Sequence, residues 1–158
     1  MIKEFEPIAE GISSRIEEWE PKLLSLSNDA VSKKKNSQNR SIKQIVGHMV
    51  DSASNNTHRV VHLQYQETPY LYPNYATFGN NDRWISIQNY QDENWEMLVQ
   101  IWKYSNLHYA FIIQFIDPEK LENEWIASPE KNISLKEMVI DYLQHLNLHL
   151  AEISELLE

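Results

Sequence analysis

Two histidines four residues apart are the residues of this chain whose type and spacing point most directly to chemistry. His145 and His149 lie in the leucine-rich run DYLQHLNLHLAEI, and this spacing puts both side chains on one face of a helix. His149 falls roughly 50° and His145 roughly 90° from the apolar centre of that helix, on the same flank. They therefore point at the seam with a neighbouring helix, where bundles build metal and ligand sites. On spacing alone, a structural role for such a pair is the commoner case.

A third metal ligand has to come from another helix, and His48 in IVGHMVDSASNNTHR is the best candidate. It lies roughly 130° from the apolar face of its helix, in a polar stripe with Ser52, Asn55 and Arg59. The stripe is either a solvated face or the lining of a polar cleft in which Arg59 would hold an anionic group. The remaining histidines are expected to be structural or surface residues; they are His58, His62 and His108.

Four stretches with helical periodicity position these residues. They run from about Pro7 to Leu26, from Ser41 to about Gln66, from about Asp92 to Ile116, and from Ser134 to Leu157. The second and the fourth begin with the capping-box sequences SIKQ and SLKE. No segment alternates as a strand would. The sequence therefore predicts an all-α, antiparallel four-helix bundle in a single domain over residues 1–158.

A long connection, residues 67–91, joins the second and third predicted helices. A loop of this length in a compact domain is usually functional or carries some structure of its own. Its aromatic residues suggest that it folds over one end of the bundle; they are Tyr70, Tyr72, Tyr75, Phe78 and Trp84. We expect substrate to contact Tyr75 and Trp84 from this loop, together with Arg59, Ser52 and Asn55 from the polar stripe.

The composition excludes several classes of site. The 158 residues contain no cysteine, so disulfides, thiolate metal sites and cysteine nucleophiles are ruled out. Three isolated glycines leave no phosphate-binding loop. A net charge of −9, from 23 acidic and 14 basic residues, disfavours nucleic acid as a partner. The N-terminus has no apolar signal region and no apolar run approaches the ~20 residues of a membrane span, so we expect a soluble, cytoplasmic protein.

Three segments together resemble the DinB/YfiT-like family, and the similarity extends over about residues 8–157. They are SIKQIVGHMVDSASNNTHRVV, the loop YPNYATFGNNDRWISIQNY and the final YLQHLNLHLAEI. The resemblance implies a four-helix bundle in up-down-down-up order, commonly a homodimer, with a divalent metal on three histidines. The histidine of the family's second helix falls on His48, and its final pair falls on His145 and His149.

Two positions depart from the family pattern. Asn80 stands at an acidic position of the loop, which leaves Asp82 as its acidic residue, and Glu152 stands where a further histidine often follows the final pair. Neither change removes a metal ligand, but both can alter substrate recognition or the surroundings of the metal. Asp141, one turn before His145, is a further carboxylate that can accept an imidazole N–H, although a solvated position is the commoner case for it.

The implied ligand set indicates a catalytic metal. Three neutral imidazoles with open coordination positions suit Zn²⁺ or Ni²⁺. The better-understood branches of the family resemble thiol S-transferases that use a low-molecular-weight thiol such as bacillithiol, mycothiol or glutathione. The resemblance thus implies a metal-dependent enzyme acting on a small molecule with a thiol cosubstrate, which fits a chain without cysteine.

Two alternatives remain open. One is hydrolysis by a metal-activated water, with Asp82 or Glu152 as general base. The other is a non-catalytic, stress-related binding protein whose metal is only structural.

Overall fold

Four long helices build the molecule, and the predicted four-helix bundle is confirmed. The computed structural model describes residues 2–73, 75–76 and 79–158. In chain order the elements are α1 (Glu6–Leu24), α2 (Asn28–Lys33), α3 (Ile42–His62), α4 (Asn80–Ile87), α5 (Trp95–Ile112), β1 (Glu124–Ser128), β2 (Lys131–Ser134) and α6 (Leu135–Leu157). Among the described residues, no helix is both long and apolar enough to cross a membrane.

The long helices meet around one apolar core. Helices α1 and α3 each pack against both α5 and α6. Ile16 of α1, Met49 of α3, Trp102 of α5 and Leu146 of α6 are all at most 2% exposed. Burying side chains of this size contributes about 1.5–3 kcal/mol each, so the shared core fixes how the four helices face one another.

Hydrogen-bonded caps set where the two helices with the histidines begin. Ser41 caps α3, accepting from the backbone N–H of Gln44 while the Gln44 side chain accepts from the backbone N–H of Ser41. Ser134 and Glu137 form the same reciprocal pair at the start of α6. Both predicted capping boxes are confirmed. Each is worth about 1 kcal/mol to its helix.

One short β-hairpin corrects the expectation that the chain contains no strand. Strands β1 and β2 pair antiparallel just before α6. In their sequences, EWIAS and KNIS, only Trp125 and Ser134 are fully buried. Neither strand therefore shows the alternating apolar pattern that would predict it. Backbone hydrogen bonds from Tyr70 to Glu124 (2.8 Å) and from Ile126 to Tyr70 (3.0 Å) attach the loop after α3 to β1.

The long loop between α3 and α5 carries structure of its own, as its length suggested. Helix α4 lies within it, and the chain then packs Tyr90 against α3. The Tyr90 ring rests on the backbone of Gly47, where a Cβ atom would collide with it. The hydroxyl of Tyr90 and the amide of Gln88 both donate to the buried Oδ1 of Asp51, at 2.6 and 2.7 Å. The predicted loop aromatic Phe78 lies outside the described residues.

Candidate metal centre

The three histidines singled out from the sequence lie together between α3 and α6. One nitrogen from each of His48, His145 and His149 lies within 4.8 Å of the others. The Nε2 atoms of His145 and His149 are 3.1 Å apart, and the His48 ring centre is 4.6 Å from that of His149. His48 and His149 are buried, and His145 is the most exposed of the three.

A tyrosine from the loop orients His48. The hydroxyl of Tyr75 donates to the backbone carbonyl of His48 at 3.3 Å, and it lies 2.9 Å from Nδ1 of the same residue. When the hydroxyl proton goes to the carbonyl, Nδ1 of the imidazole carries its own proton and donates it to the tyrosine oxygen. The lone pair of His48 is then on Nε2, free for a metal.

A carboxylate orients His149 in the same way. Nδ1 of His149 lies 3.0 Å from Oε2 of Glu152, one turn further along α6. A carboxylate accepts the Nδ1 proton, so the lone pair of this imidazole is also on Nε2. Pairing of a ligating histidine with a carboxylate is typical of metal sites and raises the basicity of the ligand.

Burial keeps two of the imidazoles neutral. Burial, aided by the nearby His149, lowers the pKa of His48 to about 2 and that of His145 to about 4. At neutral pH both rings therefore carry an unprotonated nitrogen. Neutral imidazole is the form that binds a metal, and no proton has to be displaced from it.

The donor set fits a divalent transition metal. Two nitrogens that share one tetrahedral Zn²⁺ at ~2.0–2.1 Å lie about 3.4 Å apart, which is close to the 3.1 Å between the Nε2 atoms of His145 and His149. A nitrogen of His48 lies within 4.8 Å of the ligand nitrogens of the other two histidines. Three neutral nitrogen ligands leave at least one position for a substrate or water, which is the arrangement of catalytic rather than structural zinc.

A cavity of about 200 Å³ opens onto this cluster. His48, Ser52, Asn56 and Arg59 line it from one face of α3, and Tyr75 lines it from the loop. The opposite wall comes from the hairpin and α6 and includes Trp125, Ile133, Met138, Tyr142 and His145. A wider depression of about 890 Å³ beside Lys43 and Trp95 has no histidine in its described lining. We therefore place the site in the smaller cavity.

Arg59 occupies the cavity wall about three helical turns from His48. Its side chain is 4% exposed, and Nε and Nη2 have no hydrogen-bond partner among the described residues. The guanidinium lies over the Trp125 ring, 4.0 Å from Cζ to the ring centre. Burial lowers the pKa of Arg59, and the tyrosines around it act in the opposite direction.

The residues of α3 that line the cavity differ in one position from the predicted polar stripe. Ser52 lines the cavity and is 5% exposed. Asn55 is buried but is not part of the described lining, and its amide donates to the Asp51 carbonyl at 2.8 Å. Asn56 lines the cavity instead. Helical spacing puts Asn55 within the stripe and Asn56 on its flank, so the cavity lies towards that flank of α3.

Neither of the two carboxylates considered as general bases is in the described lining of the cavity. Asp82 is ion-paired with Arg40 at 2.9 Å in a separate surface depression. Glu152 is engaged with His149, as described above. Asp141 lines the cavity and is the one carboxylate in its described lining. Trp84 is 39% exposed and contacts the Tyr75 ring edge-on, so it supports the loop behind the site.

The wall formed by Trp125, Met138 and Tyr142 was not anticipated from the sequence. Tyr142 and Met138 belong to the last helix, and its periodicity gives no sign that either would face a ligand. Trp125 belongs to the hairpin that the sequence did not reveal. The other histidines are outside the cluster: His58 and His108 are exposed, and Nδ1 of His62 lies 2.7 Å from the Tyr65 hydroxyl.

Comparison with known proteins identifies the fold. No protein-family model and no curated protein sequence matches the chain. Among solved structures, YfiT from Bacillus subtilis, described as a probable metal-dependent hydrolase with an unusual four-helix bundle topology, matches with a TM-score of 0.78 at 15% identity. The match covers 99% of this chain and 87% of YfiT. The chain has the YfiT fold.

A second solved structure shares the YfiT fold. It is the mycothiol-dependent maleylpyruvate isomerase, with a TM-score of 0.76 at 11% identity. The match covers 97% of this chain but 60% of the isomerase, so the chain spans less than two thirds of that protein. The resemblance stated from the sequence is thereby confirmed for the fold.

Proposed function

We propose that this protein is a metal-dependent enzyme that acts on a small molecule and that its metal activates a low-molecular-weight thiol for transfer to an electrophile. The observation that carries the proposal is the group of three imidazoles, His48, His145 and His149, whose nitrogens converge beside a cavity. A divalent ion bound there would act as a Lewis acid that lowers the pKa of a bound thiol or water.

The residues of the chain would hold and orient the reactants. Tyr75 and Glu152 fix the tautomers of their histidines, so the ligand geometry is set before substrate arrives. Ile133 and Met138 provide an apolar wall against which the carbon skeleton of a substrate would pack, excluding water from the reacting atoms.

Two observations favour a thiol as the activated group. The chain contains no cysteine, so any sulfur nucleophile would come from a cosubstrate. One protein of the same fold is a mycothiol-dependent isomerase. We also propose a cytoplasmic location, because free thiols are kept reduced there.

A thiol-conjugation assay tests this proposal. The protein is loaded with Zn²⁺ or Ni²⁺ and mixed with bacillithiol, mycothiol or glutathione and with 1-chloro-2,4-dinitrobenzene as electrophile. We expect conjugation to require the metal, to be lost in His145→Ala/His149→Ala, and to persist in His108→Ala, which removes an exposed histidine of α5. Equal conjugation rates with and without metal would refute the proposal. A His145→Ala/His149→Ala variant as active as His108→Ala would refute it as well.

Hydrolysis by a metal-activated water is the second candidate. YfiT is described as a probable metal-dependent hydrolase, and Asp141 is a carboxylate in the cavity wall that a general-base role would need. Turnover of nitrophenyl esters without any thiol, reduced at least about 100-fold in Asp141→Asn, would favour this reaction over thiol transfer. If metal removal lowers thermal stability but neither assay shows turnover, a binding protein with a structural metal is the better description.

A further inference from the structure

Arg59 is a buried cation that forms no ion pair with any carboxylate of the described residues. Its side chain is 4% exposed, yet Nε and Nη2 make no hydrogen bond within the described part of the chain. Its neighbours are the rings of Tyr72 and Trp125, and burial is the main influence on its pKa. Removing a guanidinium from water without pairing it is costly. Arg59 lines a cavity the size of a small ligand, so an anion bound in this cavity would supply the missing pairing.

The aromatic surroundings of Arg59 hold it in one orientation. Trp125 from β1 lies 4.0 Å below the guanidinium carbon, and the Tyr72 ring lies 5.2 Å from it. Both rings lie beside the guanidinium. Its Nε and Nη2 atoms, which are buried and have no hydrogen-bond partner among the described residues, form the fork that matches a planar oxyanion. The indole N–H of the same Trp125 also has no acceptor among the described residues.

This subsite and the three histidines lie apart in one cavity. His48 and Arg59 are eleven positions apart on α3, which corresponds to about 16 Å along the axis, although the arginine side chain leans back toward His48. Both residues line the cavity of about 200 Å³. A ligand that reaches both would carry its anionic group at a distance from its reacting atom.

We propose that Arg59, stacked on Trp125, is a carboxylate-binding subsite, and that the small molecule used by this protein is an organic acid whose carboxylate lies at Arg59 while its reacting end faces the histidines. The position of the reacting end rests on the proposed function, whereas the carboxylate subsite itself does not require a metal. The carboxylate belongs either to the thiol or to its electrophile.

Calorimetric titration with hexanoate and with hexanamide, its neutral analogue of the same length, tests the subsite. We expect hexanoate to bind at least about tenfold more tightly than the amide, both in metal-free and in Zn²⁺-loaded protein. The preference should disappear in Arg59→Met. It should survive in Arg83→Gln, which removes an exposed arginine of α4. Equal binding of acid and amide, or an unchanged preference in Arg59→Met, would overturn the proposal.

Comparing metal-free with Zn²⁺-loaded protein distinguishes the carboxylate subsite from the proposed metal-dependent function. A carboxylate preference that appears only after Zn²⁺ is added would mean that the acid binds the metal, and the subsite would be refuted while the metal site stands. A preference in protein that takes up no metal would retain the subsite and refute the metal-dependent function. Because the wild-type comparison of acid and amide needs no variant, the test does not depend on the folding of Arg59→Met. Arg59→Lys provides a second variant, which keeps the charge but loses the fork and should bind hexanoate about tenfold more weakly.

The source of the carboxylate is assigned with two thiols. In Zn²⁺-loaded protein, 8-mercaptooctanoate and 8-mercapto-1-octanol are compared, because their chains are long enough to extend from the histidines towards Arg59. Tighter binding of the acid, dependent on Arg59, places the thiol's own carboxylate at the subsite. If the two thiols bind equally and hexanoate still binds in the presence of either, the subsite is assigned to the electrophile. If hexanoate competes neither with the thiols nor with the electrophile, the shared cavity is contradicted.

Discussion

At the scale of single residues, the tautomers of the histidines depend on their hydrogen-bond partners, and Glu152 is the partner that can be changed most cleanly. It accepts from Nδ1 of His149 at 3.0 Å. Glutamine retains an acceptor but loses the charge that makes the imidazole more basic. We expect Glu152→Gln to weaken Zn²⁺ binding by about 10-fold or more, measured by competition with a chromophoric chelator.

The control for this change lies on the same helix. Glu155→Gln removes an exposed carboxylate three residues further on, and its affinity for Zn²⁺ should equal that of the wild type. Equal affinities in all three proteins would show that Glu152 does not act on the metal through His149.

Asp51 makes the stability of the protein depend on pH. Burial raises the pKa of Asp51 to about 6, against hydrogen bonds from Tyr90 and Gln88 that act to lower it. Because this folded-state pKa exceeds the ordinary value of 3.8 for an aspartate, the protonated form favours the native state. The contribution is complete below about pH 4 and is lost as the pH rises through 6. Relative to Asp51→Asn, the wild type should lose up to about 3 kcal/mol of unfolding free energy across this window.

Urea denaturation of both proteins over this pH range measures the effect. Asp29→Asn, at an exposed position of α2, should follow the wild-type pH dependence apart from a small offset. Parallel curves for the wild type and Asp51→Asn would mean that Asp51 is ionised in the native state at the same pH as in the unfolded chain.

At the scale of elements, the contact between α3 and the turn at Tyr90 depends on the absence of a side chain at Gly47. Alanine there would push into the Tyr90 ring, which is held by its hydrogen bond to Asp51. We expect Gly47→Ala to destabilise the protein by about 1–2 kcal/mol, since overpacking exceeds the gain of about 1 kcal/mol in helix propensity. Chemical denaturation measures this difference.

Gly11→Ala is the matched helix substitution. Its new methyl would meet the end of the flexible Leu143 side chain, which can change rotamer at little cost. The stability of this variant should stay within about 1 kcal/mol of the wild type. A Gly47→Ala protein as stable as Gly11→Ala would contradict the rigid packing of Tyr90.

The same elements show why part of the site was predictable. The capping boxes at Ser41 and Ser134 and the spacing of His145 and His149 are local patterns, so the sequence was sufficient to place the helices and the face that each histidine occupies. The hairpin is different, because Trp125 is positioned by hydrogen bonds between β1 and Tyr70, more than fifty residues away. The choice between Asn55 and Asn56 likewise depends on which flank of α3 the hairpin covers.

At the scale of the whole molecule, assembly into a homodimer stays a prediction. One narrow face of α5 exposes four large apolar side chains to between 41% and 61%; they are Met97, Ile101, Tyr104 and Phe111. Light scattering should give twice the chain mass of 18.7 kDa if a second copy covers this face. The double variant Tyr104→Glu/Phe111→Glu should then be a folded monomer. A wild-type mass of 18.7 kDa would exclude the dimer.

The metal content of the purified protein tests the central claim most directly. The untagged protein, His48→Ala and His145→Ala/His149→Ala are measured by inductively coupled plasma mass spectrometry, with circular dichroism to verify the helices. Three converging imidazoles predict about one equivalent of Zn²⁺ or Ni²⁺ per wild-type chain, and its loss in both variants while the helices persist. A folded wild-type protein that takes up neither ion, even when both are supplied, would contradict the metal centre.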